Sequence, residues 1–453
     1  MKFFIQNLVK RTSRIFLDLI PPIRATTLIV HNTMSEVKVT RKPKYDGRTK
    51  KRQWEDRRSD KGAGLDPTLP KLVKIDEMTT APVSADKIKR RKFALLMGYS
   101  GAHYYGMQRN PNTKTIEEDL FKALFDAGFI NEDCYTMVQN MQFQRAARTD
   151  KGVSAARQVV SLKLGENFNL AKVNELLCDE IRIFGFKRVT KGFNSKSQCD
   201  GRTYVYILPT VSFVNNNDLQ QKGFRLPEEI HKKVNEILQM YVGTKNFHNF
   251  TVKKKPNDPS AKRFIKSFEC ETPFVKDDVE FCVLKIYGQS FMMHQIRKMI
   301  GLVLAVMRGL TGPETIEKAL SSDEKVNVPR APGLGLLLDY VHYVRYNHRY
   351  GTDGMHDKLT WEDVEKDVEE FKEKMILPII INTEINETSM LNWLENKLSR
   401  HSYDDEEKDE SDDEGGAADD DEDDQVVTSN QDITKDIKNN ISKEKIDKEK
   451  ATE

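Results

Sequence analysis

Between Phe93 and Tyr343, short apolar runs of strand length are interleaved with stretches whose apolar residues recur every three or four positions. The strict strand–helix rhythm of a parallel sheet is missing, so the pattern confines this part of the chain to an α+β fold. Strands are expected at Phe93–Met97, Val159–Leu164, Ile181–Val189, Thr203–Leu208, Phe264–Cys270, Glu280–Tyr287 and Leu336–Tyr343. A helix opens at Thr115, where Thr115 serves as cap, Glu118 sits at the capping-box position, and Ile116, Leu120, Ala123 and Leu124 form the apolar face. Further helices are expected over Leu226–Val242, Phe291–Leu310 and Pro313–Leu320. The reading gives two α+β subdomains, 93–210 and 211–345, joined near 210–226. An appended helical segment follows at 346–400, with Trp361–Lys374 and Leu391–Leu398 as its helices.

The two ends differ from this body. In residues 1–33, Lys2, Lys10, Arg11, Arg14 and Arg24 face one acid, Asp18, and apolar residues lie near helical spacing up to Pro21-Pro22. That composition reads as a mitochondrial presequence, with a secretory signal as the alternative, and Met34 could start a shorter form. Residues 34–92 read as a basic, disordered linker, whose clusters Arg48–Arg52 and Lys87–Lys92 are of nuclear-import or RNA-contacting type. Residues 401–453 read as a charged, disordered tail.

Charge sharpens the division. Residues 404–424 hold fifteen Asp or Glu against one Lys, and 425–453 balance six Lys against six acids. With a whole-chain net of +2, residues 1–401 carry +16. A body that basic points to a polyanionic partner, with RNA or DNA first among them. The apolar runs fall short of a bilayer span, so no membrane helix is expected. The five cysteines (134, 178, 199, 270, 282) are scattered without a Cys-x-x-Cys pair. Neither a disulfide framework nor a zinc site is expected, and a reducing compartment is.

The most informative run is Arg145-Ala146-Ala147-Arg148-Thr149-Asp150-Lys151-Gly152-Val153-Ser154. Arg148 and Asp150 are two apart, so on extended backbone they leave the same face, and a guanidinium there keeps a carboxylate ionised. Gly152 permits a tight turn after them. From spacing alone a structural ion pair beside an ordinary turn and a reactive carboxylate both remain open.

The run 147–153 resembles the catalytic motif of the TruA family of RNA pseudouridine synthases. Residues 98–108 (Gly-Tyr-Ser-Gly through Gln108) resemble that family's opening segment, Arg202-Thr203-Tyr204-Val205-Tyr206 its tyrosine motif, residues 288–301 its late helix, and 331–336 its final strand. The forms at 98–101, 246–250 and 292–295 are similar to its eukaryotic branch, which is associated with nucleus and mitochondria. The fold this resemblance implies is a pair of ferredoxin-like, RRM-like subdomains with a mostly antiparallel central sheet and a cleft between them. The activity it implies is conversion of uridine to pseudouridine in tRNA, and in other structured RNAs such as snRNA or mRNA. It implies no cofactor and no metal, and a monomer is favoured.

Carried over by the same resemblance, Asp150 is the catalytic carboxylate, either nucleophile at the sugar or base toward a sugar proton. Tyr204 is the surface on which the uracil rests, although Tyr206 shares its strand parity. Arg148 fills the space of an extruded nucleotide, and Arg297 lies beneath the carboxylate. His294, three residues before Arg297 on the expected helix, and His248, between Phe247 and Phe250, are possible RNA contacts; packing roles suit both equally. Two other readings stand beside this one: a non-catalytic RNA-binding protein with the same basic body, and a hydrolase that releases free uracil.

Overall fold

The computed structural model describes residues 90–215, 221–321 and 323–403. The presequence of 1–33, the linker up to residue 89 and the tail beyond residue 403 lie outside the described residues. Ten strands occur among the described residues: β1 (Arg90–Tyr99), β2 (Gln144–Arg145), β3 (Ser154–Gly165), β4 (Ile181–Arg188), β5 (Gly201–Pro209), β6 (Gly243–Asn246), β7 (Lys262–Cys270), β8 (Phe274–Lys276), β9 (Val279–Gly288) and β10 (Leu336–His342). They form one sheet in the order β4-β1-β3-β10-β5-β9-β7-β6, with β2 added to β3 and β8 to β9. Described pairs are antiparallel except β10 with β3.

The last strand in sequence thus sits at the middle of the sheet. Leu337 lies opposite Ser154 on β3 and Val205 on β5. β5, which precedes residue 210, pairs with β9 and lies on the far side of β10 from β1, β3 and β4. The two halves of the sheet therefore meet at β10.

All seven strand runs seen in sequence are observed as strands, five of them longer than expected and those at Ile181 and Leu336 one residue shorter, while the short β2, β6 and β8 were not expected. β1 begins at Arg90, three residues before Phe93, because the basic residues there are paired. Arg91 Nε lies 2.5 Å from Glu166 Oε1, and the Lys92 ammonium donates to Gln142 O at 2.5 Å. The end of the expected import cluster is therefore strand.

Helices α1 (Ile116–Asp126), α2 (Glu132–Thr136), α3 (Leu170–Leu176), α4 (Glu228–Gln239), α5 (Gln295–Met307) and α6 (Glu314–Leu320) accompany the sheet. A C-terminal set follows, α7 (Val344–Tyr350), α8 (Glu365–Phe371), α9 (Leu377–Glu387) and α10 (Ser389–Asn396). Thr115 caps α1 as expected, its Oγ1 accepting from Glu118 N at 3.4 Å. Glu118 turns to the Tyr135 hydroxyl at 2.6 Å and to Arg109 instead of completing the capping box. α5 starts at Gln295, four residues later than Phe291, because His294 is left-handed (φ 61°) and interrupts any upstream helix. Among the described residues no helix is long and apolar enough to cross a membrane.

β1, β3 and β5 are buried along almost their whole length, so both of their faces are covered. α8 packs on β3 and α9 on β5. The fastening is ionic: Arg157 on β3 donates to Glu365 at 2.7 Å and pairs with Glu369. Lys372, just after α8, reaches Asp339 on β10 at 2.7 Å. Burial raises the Asp339 carboxyl, but Lys372 and Arg157 lower it further, for a net value of about 2.

Candidate active site

Asp150 stands in the loop between β2 and β3, and that loop is held from several sides. The Gln158 side chain, wholly buried on β3, donates to Ala147 O at 2.8 Å and accepts from Ala147 N at 3.2 Å. Thr149 turns inward to the Tyr99 hydroxyl at 2.8 Å, while Arg148 is exposed and Asp150 partly so. The two-residue parity expected of Arg148 and Asp150 is therefore seen. The chain then turns tightly, Val153 N donating to Asp150 O at 3.1 Å, with Gly152 at φ 78°, a conformation suited to glycine.

The carboxylate faces two side chains from a distant part of the chain. Arg297 Nη1 lies 3.4 Å from Asp150 Oδ2, and His294 Nε2 lies 3.7 Å from the same oxygen. Both come from the beginning of α5. Arg297 is fixed by its Nε, which donates to Ala331 O at 2.8 Å. That partner belongs to a strap, residues 323–335, pressed against α5. At Gly301 a Cβ would lie 2.1 Å from Pro329 O, so only glycine admits the strap at this distance. From the strap Arg330 places Nη1 3.2 Å from the His294 ring. Holding a histidine at positive φ costs on the order of 1 kcal/mol, so the arrangement around Asp150 carries local strain. The side chain of Asp150 keeps 20 % of its surface exposed.

Tyr204, on β5, is 6 % exposed, with its ring edge-on to Phe291 at 5.3 Å. Burial pushes its hydroxyl well above the usual tyrosine range. Arg202 pulls the other way, and the Asp150 charge adds to the rise. The group therefore stays protonated at neutral pH. The hydroxyl of Tyr206 is committed to Pro332 O in the strap at 2.7 Å, which separates the two tyrosines that strand parity left equivalent.

Of the residues singled out in the sequence, Asp150, Arg297 and His294 converge directly, Tyr204 lies within reach of their field, and Arg148 shares the loop of Asp150. The location of His294 differs from expectation. It caps α5 in a left-handed conformation and reaches Asp150 from there, so helical spacing is not what brings it to Arg297. His248 is 5 % exposed and its ring is occupied, Nε2 by Glu324 O at 3.2 Å and Nδ1 by Asn246 Oδ1 at 3.3 Å. It is a strut under the strap.

Several supports carried no role in the sequence reading. Arg202 donates to Ala146 O at 3.0 Å through Nε and to Gln289 O at 3.1 Å through Nη1, tying the Asp150 loop to the approach to α5. Arg145 pairs with the buried Glu117 and donates to Gln108 Oε1 at 3.1 Å, which binds the loop to the 98–108 segment. Arg330 stands alone in a loop without periodicity. The adjacency of Arg145 and Arg202 to resembling motifs was the available signal for those two. Among the described residues no group of His, Cys, Asp and Glu is gathered as a metal site.

A profile of the family described as tRNA pseudouridine synthase matches residues 237–344. A mouse protein, Pseudouridylate synthase 1 homolog, is 52 % identical over 322 residues, covering 70 % of this chain and 76 % of the relative. Its human counterpart is 53 % identical over 305 residues, covering 66 % and 71 %. A tRNA pseudouridine synthase 1 of Saccharomyces cerevisiae is 32 % identical over 396 residues, covering 70 % and 72 %.

Proposed function

This chain belongs to the tRNA pseudouridine synthase family, and from that premise we propose how its residues divide the work. The protein is an isomerase that converts uridine to pseudouridine in tRNA. The bond from N1 of uracil to C1′ of the ribose breaks, the base turns, and C5 bonds to C1′. C5 loses a proton and N1 gains one, so the balance needs no outside oxidant or donor.

The observation that carries the assignment is a carboxylate, Asp150, partly exposed and faced by Arg297 and His294 at 3.4 and 3.7 Å. In this reading Asp150 acts at the ribose, and the Arg297 guanidinium and the His294 ring fix its orientation. The nucleotide must leave its stack to arrive there, at a cost of a few kcal/mol. Arg148, exposed on the same loop, occupies the space it leaves. The buried ring of Tyr204 supports the detached uracil. Its hydroxyl, kept protonated, serves as a hydrogen-bond donor or proton relay and not as a phenolate.

The same basic surface would take other structured RNAs, snRNA or mRNA, by shape and phosphate contact, with the protein acting as a monomer. The composition of residues 1–33 and the basic clusters after Met34 support residence in both mitochondrion and nucleus.

Incubating unmodified tRNA with the protein and mapping pseudouridine at single-nucleotide resolution tests the assignment. Wild type should yield discrete modified positions. Asp150→Ala should yield none while binding tRNA within a few-fold of wild type. Equal product from the two proteins would remove Asp150 from the chemistry, and release of free uracil would mark a hydrolase.

A further inference from the structure

We propose that the acidic run 404–424 occupies the RNA-binding face around Asp150 when no RNA is bound and is displaced by tRNA. The proposal rests on the reading above that this face binds RNA.

The place where the run leaves the fold is fixed. His401 Nε2 lies 2.9 Å from Asn327 O, Asn327 Nδ2 donates to Ser402 O at 3.0 Å, and Asn327 N donates to Tyr403 O at 2.9 Å. Residue 404 therefore departs from the strap that carries the supports of the active site. Three residues along it Arg330 meets His294, and one further Ala331 O holds Arg297. Three extended residues span at most about 10 Å.

Positive charge brackets this exit. Lys325, two residues before the anchor, is exposed. Val326 N donates to Asn249 Oδ1 at 3.1 Å, and the chain from Asn249 runs on into Lys253-Lys254-Lys255. Toward Asp150 stand Arg330, Arg148 and Lys151, which outnumber the strap's own Asp323 and Glu324. The departing run carries fifteen acids against Lys408. Twenty-one residues reach at most about 70 Å, so the whole face is within their span.

A tethered segment acts at an effective concentration in the millimolar range, so weak contacts suffice for occupancy. A surface suited to a phosphate backbone attracts a polycarboxylate by the same long-range charge. A folded tRNA, with many phosphates and a reactive nucleotide to insert, displaces it. A short unstructured RNA competes less well, and the run thereby increases discrimination.

The test compares the full chain with a variant in which the fifteen acids of 404–424 become Asn and Gln. Affinity is measured for tRNA and for an unstructured oligonucleotide from about 50 to about 300 mM salt, where such contacts weaken steeply. The variant should bind the oligonucleotide about tenfold tighter at low salt and tRNA by a smaller factor. Both differences should vanish at high salt, with kcat at saturating tRNA unchanged. A synthetic 404–424 peptide added to the variant should raise KM for tRNA and leave kcat alone. Equal affinities in the two proteins overturn the proposal. A tail effect that the added peptide does not reproduce also overturns it, because repulsion at a distance needs no docking. If neither protein makes pseudouridine, the catalytic reading fails, while the affinity comparison still decides the fate of the tail.

Discussion

Asp150, in the loop that leads into β3, and Asp339, on the neighbouring β10, both keep about a fifth of their side-chain surface exposed, 20 % and 18 %. Each is faced by an arginine. Exposure therefore does not distinguish the reactive carboxylate from the structural one; engagement does. Asp339 is gripped by Lys372 at 2.7 Å within a network that includes Arg157, Glu365 and Glu369, and its lone pairs are spent on holding the C-terminal helices to the sheet. The partners of Asp150 stand off at 3.4 and 3.7 Å, and their own closer bonds go elsewhere, Arg297 to Ala331 O and Arg330 to His294. Such a carboxylate is held in place while its oxygens remain available to a substrate.

Exchanging the two effects would break the comparison. Asp150→Asn should reduce pseudouridine formation by about 10⁴-fold or to the detection limit, with the melting temperature within a degree of wild type. Asp339→Asn should do the reverse. It leaves Arg157 and Lys372 without their shared anion and should cost roughly 2–3 kcal/mol. That is below the range for an isolated buried pair because Glu365 and Glu369 remain. Denaturant unfolding measures it, and activity per folded molecule should hold. Loss of stability in the first variant, or loss of activity without loss of stability in the second, would mean that the roles are assigned the wrong way round.

The sequence showed the second carboxylate poorly and the first well, for a physical reason. Periodicity reports which residues are buried along one element, so the strands from Phe93 to Tyr343 and the helices around Val234 and Met299 were legible. Strand order is a matter of contacts far apart in sequence, and the insertion of β10 between β3 and β5 left no local mark. α9 escaped because Pro378 reads as a breaker although it stands in the first turn, where it is tolerated. Asp150, Arg297 and Tyr204 were legible through motifs. His294 came with the same late-helix motif, although it stands at the N-cap of α5 and not inside a longer helix. Arg330, Asp339 and Arg157 are single charges whose partners come from other elements, and only the fold brings them together.

A smaller effect sharpens the account of Arg297. Its guanidinium does two things at once, Nε bonding Ala331 O and Nη1 facing Asp150. A lysine keeps the charge but lacks the fork. Arg297→Lys should therefore lower kcat about 10- to 100-fold and change the KM for tRNA little, as steady-state kinetics on a single tRNA would show. A variant that binds tRNA tenfold worse with kcat intact would make Arg297 an RNA contact instead.

A third carboxylate completes the series, one with no cation beside it among the described residues. Glu384 on α9 is 6 % exposed and accepts from Met390 N at 2.9 Å and from Gln221 Nε2 at 3.2 Å. Burial raises its carboxyl to about 7, against the pull of those two donors and with a small push from Glu387. The folded chain thus holds a proton there that the unfolded chain, with an ordinary glutamate near 4.5, gives up earlier. Its contribution to stability is complete below about pH 4.5, declines as the pH rises to about 7, and is level above that. Glu384→Gln, which mimics the protonated form, should nearly match wild type at pH 4.5 and exceed it by about 3 kcal/mol at pH 8. Asp339 moves in a separate window: its stabilisation is present above about pH 4 and lost as the pH falls through about 2, so it does not obscure the difference. Urea unfolding of both proteins across that range measures the gap. A gap that stayed constant with pH would show that Glu384 is ionised in the fold, and that a buried carboxylate here needs no cation to remain charged.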